Sequence, residues 1–128
     1  MPNQEETNLD LLGTLHFILG ILTAIFACIP IIHLVIGIVM LTSGIDGGEQ
    51  APRAIAFVFI ILASVIILTG WALAVLIIMA GIKLKKRKSY QFCTIMAFVE
   101  CLIMPLGTVL GIFTIITLSK EPVKKLFS

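Results

Sequence analysis

The chain has 128 residues, of which 59% are hydrophobic and only 12% charged, and its mean hydropathy is +1.17. A water-soluble domain is about a quarter charged, so this composition excludes an ordinary soluble globule. The net charge of +2 is small, but the basic residues gather beside apolar segments, a pattern that suits membrane surfaces and argues against nucleic acid as a partner.

In chain order, the start MPNQEETNLD has no basic stretch and no cleavage-site pattern, so a cleaved signal peptide is not expected. From Leu11 to Ser43 the only ionisable groups besides Cys28 are His16 and His33. Pro30 interrupts this run in ACIPIIH, and proline suits the first turn of a new helix. The expectation is one helix near 9–28 and a second near 30–43, with a single kinked helix as the alternative. SGIDGGEQAP then reads as a polar loop carrying Asp46 and Glu49. A third helix is expected near 52–84, opened by Pro52 and longer than a bilayer of about 30 Å requires. The cluster Lys83, Lys85, Lys86, Arg87 and Lys88 follows. A fourth apolar interval spans 89–119, and the tail 120–128 reads as a short amphipathic end piece.

The basic loop 83–88 is expected in the cytoplasm, with contact to anionic lipid headgroups. Tyr90, just after it, suits an interfacial position. If 89–119 crosses once, Lys120, Lys124 and Lys125 emerge on the opposite side, against the charge rule. If it folds back at Pro105–Gly107, both clusters share the cytoplasmic side, but each arm is short of a full span. The last interval is therefore read as either kinked or re-entrant. Small residues recur at helical spacing: Ala56, Ala63 and Gly70; Gly13 and Gly20; Gly37 and Gly44; Gly107 and Gly111. Such stripes let backbones approach closely in lipid, within one chain or between copies.

The second half resembles a group of small bacterial multi-span membrane proteins of unknown function. The residues that carry the resemblance are Ala80-Gly81, the basic run Lys85–Lys88, then Pro105, Gly107, Thr108, Leu110 and Gly111. It implies a multi-pass helical protein of a bacterial cytoplasmic membrane, and no activity.

Glu100 is the one carboxylate in the apolar intervals. An ionisable group inside a bilayer is costly and marks a candidate polar site. A protonated Glu100 can donate one hydrogen bond and accept others, with His16 and His33 as its candidate partners. Cys28, Cys93 and Cys101 have no C-x-x-C spacing and read as buried small hydrophobes. No zinc-protease, phosphate-loop or nucleophile-elbow pattern occurs. The expectation is thus an all-α integral membrane bundle of about four helices, with no enzymatic activity, cofactor or metal. It is read as a subunit or scaffold packing through small-residue faces, in a homo-oligomer or larger complex. The competing reading is an oligomeric proton or ion conduit built on Glu100 with a histidine.

Overall fold

A computed structural model describes residues 3–43 and 50–127, with side chains from 53 onward in the second stretch. The polar loop with Asp46 and Glu49, the side chain of Pro52, and Ser128 lie outside the described residues. All secondary structure among the described residues is helical: α1 (Gln4–Phe26), α2 (Ile31–Thr42), α3 (Gln50–Lys86), α4 (Tyr90–Glu100), α5 (Leu106–Leu118) and α6 (Glu121–Leu126). Two stretches, Gln4–Thr42 and Arg53–Lys86, are long and apolar enough to cross a membrane; α5 is apolar but shorter.

α1 begins five residues before the expected start. The Asn3 carbonyl accepts from the Glu6 and Thr7 amides. Glu5 and Glu6 in the first turn suit the positive end of the helix dipole. Likewise, α3 ends on Lys83, Lys85 and Lys86, which suit the negative end. The chain divides into two compact units, one formed by Met1–Leu22 with Leu73–Ser128, the other by Thr23–Ala72.

In the second unit the expected break falls at 27–30, where tight turns such as Ile29 N–H to Phe26 O join α1 to α2. Pro30 sits at the N-terminus of α2. The break does not reverse the chain. A Cβ added to Gly70 would meet Ala27 Cβ at 2.6 Å, and one added to Gly37 would lie 3.2 Å from Ala56 O. Positions 27 and 37 thus run along α3 in descending order, as an antiparallel partner that bends without returning. Ala56 and Ala63 are buried in this unit.

In the first unit, the start of α1 and the end of α3 also run antiparallel. A Cβ on Gly13 would stand 2.8 Å from Gly81 O, and one on Gly20 would lie 3.2 Å from Ala74 O. The interval 89–119 is two helices joined by a break at residues 101–105. Pro105 can donate no backbone hydrogen bond, and the Thr108 hydroxyl donates to Cys101 O at 2.8 Å across the break. The arms fold back on each other. The Tyr90 hydroxyl at the start of α4 donates to Leu118 O at the end of α5, 2.9 Å away. A Cβ on Gly111 would stand 2.5 Å from Ala97 O, so the G-x-x-x-G glycines serve this hairpin. Leu9, Leu12, Ile77, Leu84, Met96, Leu118 and Val123 share one core contributed by α1, α3, α4, α5 and α6.

Candidate functional site

Three polar or charged side chains are buried among the described residues: His16, Glu100 and Thr114. Thr114 is satisfied within its own helix, donating to Leu110 O at 2.7 Å. His16 and Glu100 are fully buried and meet each other, with His16 Nε2 standing 2.9 Å from Glu100 Oε2. Local sequence explains why they converge. His16 lies on the α1 face that also carries Gly13 and Gly20, which draws α1 against Gly81 and Ala74 of α3. Glu100 is the last residue of α4, held there by the turn in which Ile103 N–H donates to Glu100 O at 2.8 Å. A Cβ on Gly107 would clash with that carbonyl at 2.5 Å, so glycine at 107 lets the chain turn tightly back on the end of α4.

The chemistry follows from the other ring nitrogen. His16 Nδ1 lies 2.8 Å from Leu12 O, and a carbonyl oxygen only accepts, so Nδ1 carries hydrogen. Nε2 then either accepts the acid proton of Glu100 or donates to its carboxylate. Both arrangements leave the pair neutral as a unit. The approach is bent: by strict hydrogen-bond alignment Nε2, Oε1 and Oε2 have no partner among the described residues. At 2.9 Å no water fits between Nε2 and Oε2, so the pairing is direct. Oε1 is buried with no donor among the described residues. Glu100 at a helix C-terminus also faces the negative end of the α4 dipole, which adds to its need for a partner.

His33 stands elsewhere. It is exposed in the second unit and stacks on Phe59, with ring centroids 6.1 Å apart and planes 8° from parallel. Of the two histidines named from sequence, the structure brings His16 to Glu100. No cluster of three His, Cys, Asp or Glu side chains that could hold a metal ion occurs among the described residues. Cys28, Cys93 and Cys101 are free thiols; Cys93 is buried and the other two are partly exposed.

The basic loop is divided in its contacts. Lys83 Nζ lies 3.9 Å from the Phe92 ring centroid, and Arg87 reaches Glu6 at 3.4 Å. The stem of Lys85 covers Gly13, while Lys86 and Lys88 are exposed. Arg87 and Ser89 take positive φ values of 54° and 59° in the turn into α4. Tyr90 is half-buried, edge-on to Phe127 at 5.6 Å, so its hydroxyl serves the hairpin. Ala56 and Ala63 are buried, and Gly70, Gly107 and Gly111 each face a neighbour within their own unit.

Neither hydropathy nor any motif singles out the acidic N-terminus. Glu6 pairs with Arg87 and Glu5 with Lys120 at 3.2 Å. The signal in the sequence is the adjacent pair Glu5-Glu6 set against two distant basic clusters. No protein-family model matches the chain, and no curated protein or solved structure matches it.

Proposed function

We propose that this chain is a small, non-catalytic integral membrane protein, a subunit or scaffold whose apolar exterior meets lipid and membrane partners. The observation that carries the proposal is where its large apolar side chains lie. Leu68 is 71% exposed and Phe113 60% exposed, and little of either long apolar stretch is buried within the chain. A core helix of a soluble protein would bury most of such a surface, whereas lipid accepts it. The small residues fill the interior instead. The association surface is therefore the outer apolar face, and the glycine and alanine stripes close the chain on itself.

In this reading Gln4–Thr42 and Arg53–Lys86 cross the bilayer, and the α4–α5 hairpin enters it and returns. Eleven residues of α4 measure about 16 Å, half of a core of about 30 Å. The tip residues Leu102 and Met104 are 83% and 82% exposed, which suits hydrocarbon better than water. The cluster Lys83–Lys88 supports a cytoplasmic basic loop. The resemblance to small bacterial multi-span proteins supports a bacterial cytoplasmic membrane. Extraction in mild detergent tests the scaffold role: the chain is expected to co-purify with a membrane partner or with itself. A strictly monomeric particle without partners counts against it.

A second reading, a proton conduit, draws on the direct His16–Glu100 contact. A buried imidazole nitrogen in direct contact with a carboxyl oxygen places a proton donor and an acceptor side by side, as a relay requires. The liposome test compares wild type with Glu100→Gln. Loss of proton flux in the variant supports the conduit; equal flux, or none in either, sinks it.

A further inference from the structure

Within the first unit, α1 and α5 leave between them a groove of about 750 Å³. Leu11, Leu15 and Ile18 line one side, and Val109, Phe113 and Ile116 the other; all six are exposed. One end lies at Leu22 and Leu106, and the other at Asn8, Thr117 and Lys120. The fourteen steps from Asn8 to Leu22 measure about 21 Å at 1.5 Å per residue. That covers one leaflet of a hydrocarbon core, about 15 Å.

A groove of this volume and length accommodates an extended hydrocarbon chain. The polar end then selects the headgroup. Lys120 and Glu5 pair there at 3.2 Å, both partly exposed, beside Asn8 and Thr117. Such a pair is weak and readily exchanged. A headgroup carrying both charges replaces it without leaving either partner unpaired: phosphate on Lys120, ammonium on Glu5. A purely anionic headgroup would instead set its charge beside the Glu5 carboxylate.

We propose that this groove binds one bilayer phospholipid through an acyl chain, and reads a headgroup bearing both a phosphate and a primary ammonium. The inference rests on the membrane reading above. The test uses native mass spectrometry of the full chain, extracted from membranes, stripped of lipid and titrated with three phospholipids of identical acyl chains. These are phosphatidylethanolamine, phosphatidylcholine, which lacks ammonium hydrogens, and phosphatidylglycerol, which lacks the ammonium. The ethanolamine lipid is expected to be retained about tenfold better than the other two, the worth of one charge-assisted hydrogen bond. Glu5→Gln is expected to erase that preference. Ile18→Trp, on the exposed groove wall, is expected to abolish retention of all three. Ile61→Trp, on an exposed site of α3 in the other unit, serves as the control and leaves retention unchanged. Equal retention of the three lipids, a preference for the glycerol lipid, retention that survives Ile18→Trp, or a second protein copy in place of lipid each overturns the proposal. A chain recovered from the soluble fraction of cells would instead defeat the membrane reading, before any lipid is added.

Discussion

His16 and Glu100 form a pair whose worth lies in the cost of breaking it. Both side chains are fully buried, so removing either one strands the other in a medium that cannot solvate it. For such pairs the loss of one partner costs about 3–5 kcal/mol, while joint replacement by apolar residues is often tolerated. Glu100→Ala and His16→Ala are each expected to destabilise the protein by about that amount. The double variant His16→Leu/Glu100→Leu is expected to recover most of the loss. Unfolding in mixed micelles with increasing sodium dodecyl sulfate measures all three. Single variants within about 0.5 kcal/mol of wild type, the range of neutral surface changes, would refute the pairing. Glu100 was legible as the carboxylate that needs a partner, because it alone interrupts the apolar intervals. Its partner was not. His16 and His33 sit on comparable glycine stripes, and only the antiparallel register of α1 on α3, set by Gly13 against Gly81, decides between them.

Pro105 and Gly107 marked the break in the last interval, yet hydropathy alone left a kinked span and a returning hairpin equally open. Two contacts distant in sequence decide for the return, the Tyr90 bond to Leu118 O and the approach of Gly111 to Ala97 O. At Pro30 the opposite holds. Proline signalled a boundary, but the i→i+3 turns of 27–30 carry the chain onward along α3, and no residue there forces a reversal. The hairpin therefore depends on glycine at 111 more than on proline. Gly111→Val would drive side-chain atoms into the Ala97 carbonyl and Cys101 Sγ. The expected cost is about 1–3 kcal/mol, typical of overpacking. Ile112→Ala, one position along at an exposed site, is expected to change stability by less than about 0.5 kcal/mol. The same micelle unfolding compares the two, and equal effects would show that α4 and α5 do not pack through Gly111.

At the scale of the molecule, the ion pairs make a statement about topology that no single helix makes. Glu6 pairs with Arg87, and Glu5 with Lys120. The N-terminus, the basic loop and the C-terminal tail therefore share one polar end of the first unit. On the proposed membrane reading the positive-inside rule is expected to put that end in the cytoplasm, and the folded-back α4–α5 hairpin keeps the tail lysines on the same side as the basic loop. Reporter fusions at Met1 and Ser128 are both expected to read as cytoplasmic. A C-terminal reporter active outside would require 89–119 to cross fully, and would separate Lys120 from Glu5 by the thickness of the bilayer. The two observations are tied, so charge reversal gives an independent check. Lys120→Glu sets a second carboxylate beside Glu5 in place of the pair. Combining it with Glu5→Lys restores opposite charges. The single variant is expected to lower stability by less than about 1 kcal/mol, since exposed pairs contribute little, and the swapped double variant is expected to restore it. Failure of the swap to restore stability would mean that the two termini do not meet, whichever side each reporter marks.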